Sequence, residues 1–129
     1  MGLLALIGRI LFSSLFVLAS FGHFTANTIG FASNAGVPMA DFLVPLSGLI
    51  ALIGGLSILI GFKARIGAWL IILFLIPVTF TMHKFWGLSD PSVAYMQEIM
   101  FMKNIALLGG AFLITYFGAG PISFGVRDD

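Results

Sequence analysis

No cysteine occurs anywhere in the 129 residues, which excludes thiol–disulfide exchange, thiolate metal sites and iron–sulfur ligation as activities of this chain alone. Charge is nearly as scarce. Six Lys and Arg against five Asp and Glu leave a formal net charge of +1, with no basic stripe to neutralise a run of phosphates, so nucleic acid is excluded as a partner. The two histidines and five carboxylates form no metal-ligand set. There is also no nucleophile constellation and no glycine-rich loop after a strand, so a complete enzyme is not expected. What fills the chain is apolar: 60% of residues are hydrophobic and the mean hydropathy is +1.13 in 13.8 kDa, more than a soluble domain of this size can bury. The solvent implied is lipid.

A spanning helix needs about 20 mostly apolar residues. Residues 3–24 and 41–62 meet that length, and 66–82 and 99–117 suffice if little tilted. The expected architecture is an all-α membrane protein, a four-transmembrane-helix bundle forming one domain over residues 1–129. Val17-Leu18-Ala19-Ser20 offers small residues for signal cleavage, but Arg9 sits inside the apolar run rather than before it, so a retained first helix is expected. Met1-Gly2 begins like a myristoylation site, yet Leu6 stands where Ser or Thr is required. In an even-numbered bundle the termini and the middle loop share one side, which gathers Arg9, Lys63, Arg65 and Arg127. Lys84 and Lys103 lie opposite, with Asp41, Asp90 and Glu98. The positive-inside rule then predicts both termini in the cytoplasm.

Polar residues inside spans are costly, so their placement carries the functional information. At about 100° per residue, Arg9, Ser13, Ser20, His23 and Asn27 form one stripe on the first helix, provided it stays helical as far as Asn27. This polar seam either lines a cavity or has a plainer meaning, with serines bonded to backbone, Arg9 snorkelling and His23 at an interface. Helix two carries small residues on two faces, Gly48 with Gly55 and Gly54 with Ser57 and Gly61, so it is expected to pack against two neighbours. Pro77 predicts a kink in helix three. The topology gathers His23, Asn27, Thr79, His83, Trp86, Glu98, Lys103 and Asn104 near the outer interface. Such a group would hold a quinone head: imidazole or ammonium on its oxygens, Trp86 on its ring. The competing readings are that interfacial residues simply collect there, or that His23 and His83 ligate a haem b, for which shared depth is the sole support.

Gly8-Arg9-Ile10-Leu11-Phe12-Ser13, Ser20-Phe21-Gly22-His23, Gly54-Gly55 before Ile60-Gly61-Phe62-Lys63-Ala64-Arg65, His83-Lys84-Phe85-Trp86 and Phe101-Met102-Lys103-Asn104-Ile105-Ala106-Leu107-Leu108-Gly109-Gly110 closely resemble the DoxX family of small four-helix bacterial membrane proteins. The resemblance implies an inner-membrane protein linked to respiratory or redox chemistry, in a family associated with membrane oxidoreductase complexes and oxidative stress. Its pattern points to Arg9, His83, Trp86, Lys103 and Asn104. This chain departs from it at His23, where Lys is common, and at Ala51, where a Glu is common; the second change removes a buried acid.

Three functions from different classes follow. The chain is an auxiliary, quinone-linked subunit of a membrane oxidoreductase, with His83, Trp86, Lys103, Asn104 and His23 as ligand-binding candidates. Alternatively it is a structural or assembly scaffold of a membrane complex without ligand chemistry. In the third it transports a small solute, although no internal repeat or interrupted helix supports that. Membrane lipid and protein partners in a membrane redox complex are expected, no metal is expected, and the location implied is the bacterial cytoplasmic membrane.

Overall fold

The computed structural model describes residues 2–124, and these form five α-helices: α1 Gly2–Ser20, α2 Ala26–Asn34, α3 Ala40–Ile60, α4 Ala64–Met82 and α5 Pro91–Phe117, with a 3-10 turn at Phe21–Phe24 between α1 and α2. No strand occurs among the described residues. Four helices are long and apolar enough to cross a membrane: α1 with its 3-10 extension, α3, α4 and α5. This is the all-α, four-span architecture that the hydropathy demands.

Local chemistry sets the boundaries. The helical path from α1 breaks at Thr25, whose backbone is extended (φ −98°, ψ 148°) and whose side chain caps α2 by accepting from the Thr28 N–H. α3 ends on Gly61 at φ 76°, a left-handed cap that glycine adopts without a Cβ penalty. Ser57 braces the turn that follows, its hydroxyl 2.5 Å from the Phe62 carbonyl and 3.0 Å from that of Lys63, and α4 runs back antiparallel to α3.

α5 begins at Pro91 rather than at 99, because polar residues extend the helix beyond its lipid-crossing part. Its cap is Asp90, whose carboxylate accepts from the Ser92 N–H at 3.0 Å and the Ser92 hydroxyl at 2.8 Å, with proline in the first turn. Those bonds, the side-chain one foremost, hold the Asp90 carboxyl below its usual pKa. A carboxylate lowered in this way supports the fold above the ordinary value of about 3.9 and ceases to do so as pH falls through the lowered value. Asp90→Ala, or acidification through that window, is therefore expected to speed hydrogen exchange in the first turn of α5. Exchange unaltered by both would remove the cap from this account.

α3 and α4 form the centre, with α1 packed on α3 and α5 on α4. Glycines permit the close approach. A Cβ at Gly54 would lie 2.8 Å from the Gly67 carbonyl oxygen of α4; one at Gly48 would lie 2.5 Å from the His23 Cβ, and one at Gly55 3.0 Å from Val17. Gly61, which helical spacing groups with Gly54, faces Arg9 and Ser123 instead, because its positive φ turns it out of the α3 path. The core assembled between these helices includes Phe16, Ala51, Ile58, Ile71, Phe74, Leu75 and Ala111. Ala51, the position where the resemblance would place a Glu, is 1% exposed, so a carboxyl there would be wholly desolvated.

After α5 the chain folds back across the end where α1 and α4 begin. Arg9 Nη1 donates to the Ala119 carbonyl at 3.0 Å, the Phe124 N–H donates to the Ile60 carbonyl at 2.9 Å, and Pro121 and Ile122 lie against Gly2. Arg9, Lys63 and Arg65 share this end; Arg127, grouped with them above, lies outside the described residues.

Candidate functional site

The polar stripe of α1 divides into parts with different roles. Arg9, Ser13 and Ser20 are buried together with Phe16. Ser13 donates to the Arg9 carbonyl at 2.5 Å and Ser20 to that of Val17 at 2.7 Å, so both hydroxyls are satisfied within their own helix. Arg9 holds Ala119, while its Nε is buried without a hydrogen-bond partner among the described residues. His23 lies on the 3-10 turn, off the end of α1. Asn27, beyond the extended Thr25, is exposed on α2.

The residues expected at the opposite interface also separate. At the α4–α5 junction, His83 Nδ1 is 2.9 Å from Gln97 Oε1. Beside it Phe101 stacks edge-on with Phe80 and Phe85 (both 5.3 Å) and with Trp86 at 5.9 Å. These pairings fix the antiparallel register and put Asn104 about one turn deeper than Phe101. Asn104 is 6% exposed, whereas its neighbour Lys103 is exposed; adjacent helical positions face different ways. Lys103 Nζ points back along α5 to Met100 Sδ, 3.8 Å away.

A chamber of about 700 Å³ lies between the 3-10 turn, α2, α3 and α4. Its walls are apolar, among them Val44, Leu46, Ile50, Phe74, Val78 and Met82. Its hydroxyls are engaged in part: Ser47 donates to the Val44 carbonyl and Thr81 to that of Pro77, both at 2.7 Å, which leaves their oxygens as acceptors, and Thr28 accepts from Thr25 at 3.1 Å. The nitrogen-bearing side chains of the lining are His23 and Lys84. Nδ1 of His23 is 3.1 Å from the Ala19 carbonyl, and its ring stands edge-on to Phe74 with centroids 5.4 Å apart. Lys84 is exposed at the margin.

Of the five ligand-binding candidates, His23 lines this chamber, and His83, Trp86, Lys103 and Asn104 do not. Lys84 and Phe74, which also line it, were not among those candidates. The signal available for Lys84 was its position directly after the last turn of α4, where a helix end lets neighbouring side chains diverge: His83 turns to α5 and Lys84 to the chamber. His83 is not among the residues that line this chamber, so the two imidazoles do not meet in it. No group of three or more His, Cys, Asp or Glu placed to hold a metal ion exists among the described residues.

The DoxX family pattern matches residues 4–84, from α1 to the end of α4. A relative, "Inner membrane protein YqjF" of Escherichia coli (strain K12), is 34% identical over 120 residues, which make up 92% of this chain and 86% of the relative. No solved structure matches. Four spanning helices and this kinship make the chain a multi-pass protein of the bacterial inner membrane. The chain belongs to the DoxX family.

Proposed function

We propose that this protein is an auxiliary subunit of a quinone-linked membrane redox system, and that the chamber beside His23 receives the quinone. The observation that carries this reading is the chamber itself. Its volume of about 700 Å³ falls in the ordinary range for a small-molecule site, and a mostly apolar wall with a few placed polar groups is the usual composition of one. A lipophilic ring bearing two oxygens, with an apolar tail, fits that lining: the tail meets Val44, Leu46 and Ile50, one oxygen accepts from the Lys84 ammonium, and the other, as a hydroxyl, donates to the His23 imidazole. Lys63 in the α3–α4 turn and Arg65 in the first turn of α4 favour a cytoplasmic location for that end, which would put the chamber in the outer leaflet. His83, Trp86 and Gln97 then anchor the α4–α5 junction at the same interface rather than holding the ligand.

A peripheral or membrane dehydrogenase is the partner this reading requires. Protein purified in mild detergent is expected to carry near-stoichiometric quinone in its organic extract, against an unrelated membrane protein prepared alike. Ser47→Phe, which fills the chamber, is expected to lower that content at least about tenfold. Extracts without enrichment would overturn the proposal in favour of a scaffold. One observation favours that second reading: α5 leaves Gly109 and the charged Lys103 uncovered on its surface, where a partner helix would shield them.

A further inference from the structure

We infer that the chamber distinguishes the two redox forms of its ligand, holding the hydroquinone more tightly than the quinone because His23 presents only a hydrogen-bond acceptor. This rests on the quinone reading above. The Ala19 carbonyl can only accept, so the 3.1 Å contact requires the proton of the neutral ring to sit on Nδ1. Nε2 is then a bare lone pair. The ring has little freedom to exchange its two nitrogens: it stands edge-on to Phe74, and its own Cβ occupies the space that a side chain at Gly48 would need.

The two redox forms meet this arrangement differently. A hydroquinone oxygen carries a hydrogen and donates it to Nε2. A quinone oxygen has only lone pairs, so against Nε2 it leaves two acceptors facing each other in a largely apolar chamber. Leaving a desolvated acceptor unpaired corresponds to roughly a tenfold or greater loss of affinity. The other nitrogen-bearing side chain of the lining, Lys84, does not discriminate, since its ammonium donates to the oxygen of either form. Between these two nitrogen groups the preference resides in His23, and Lys84 contributes to both affinities alike. A tenfold preference for the reduced form raises the two-electron midpoint potential of the bound couple by about 30 mV relative to the free one.

The test uses the full chain in lipid nanodiscs with decyl-ubiquinol and decyl-ubiquinone as probes, each affinity measured anaerobically by equilibrium partition. Quinol is expected to bind about tenfold more tightly. His23→Phe, which keeps a ring against Phe74, is expected to abolish the difference, and Lys84→Met to weaken both forms while preserving their ratio. Equal affinities in the unsubstituted protein would overturn this inference and leave the quinone reading standing. Binding of neither form would overturn both. A preference that survives in a folded His23→Phe protein would overturn the assignment to His23.

Discussion

Gly54→Leu is expected to prevent assembly of the bundle. A Cβ there would lie 2.8 Å from the Gly67 carbonyl oxygen, 3.1 Å from the Leu70 Cβ and 3.2 Å from the Ile71 Cδ1. The nearest atom is backbone, so no rotamer change relieves the contact. α4 would have to move away from α3, and the same displacement would open the core that Ile58, Ala68 and Ile71 share. Overpacking of a rigid core costs about 1–3 kcal/mol where side chains can adjust, and a backbone obstruction lies at or beyond the upper end. Lipid supplies little hydrophobic force to press the helices together again, since separated helices are equally well solvated by acyl chains. The readout is the yield of monodisperse protein and its melting temperature in detergent. The comparison is Gly109→Leu, at an exposed position with nothing within 4 Å of the added Cβ. Gly54→Leu protein as stable as Gly109→Leu protein would show that the α3–α4 contact is not tight.

Arg9→Met is expected to release the segment that follows α5 while leaving the four-helix core in place. Arg9 is 5% exposed, and its guanidinium donates to the Ala119 carbonyl at 3.0 Å. Hydrogen bonds from charged donors contribute about 1.5–3 kcal/mol, so the opening equilibrium of residues 118–124 should rise about ten- to a hundredfold. Removing the buried and partly unsatisfied Nε works in the opposite direction for the bundle as a whole, since a desolvated charge is itself unfavourable. Global melting should therefore change little. The local effect is read from hydrogen exchange of the Phe124 amide, which is bonded to the Ile60 carbonyl in the intact protein. Arg9→Lys keeps the charge but loses the planar fork, and should fall between the two. Exchange at Phe124 unchanged by Arg9→Met would show that Arg9 does not hold the segment.

Several of these features were legible in the residues. A helix turns by a fixed angle per residue, so Arg9, Ser13 and Ser20 had to share a stripe, and in a lipid-solvated helix a polar stripe is driven toward protein. Gly48 with Gly55, and Gly54 with Ser57, had to occupy two faces of α3 for the same reason. The early start of α5 was hidden because its first turns are polar, and an apolar run registers only the part that crosses lipid; the Asp90-Pro91-Ser92 cap was the local sign of it. The departure of Asn27 from the stripe depended on one extended residue, Thr25, which periodicity does not detect.

Sequence alone determined the class of protein, four apolar helices long enough to cross lipid, and the height of each polar residue along its own helix. That height follows from counting residues along a helix of fixed rise. It did not determine which residues meet. His23 and His83 close their spans at the same end, yet His23 is turned toward α3 and α4 by the 3-10 turn and the gap at Gly48, while His83 turns to Gln97 on α5. The direction in which a side chain points around the bundle is set by how neighbouring helices rotate to pack their glycines and rings. Those contacts join residues far apart in the chain, and only the tertiary structure decides them.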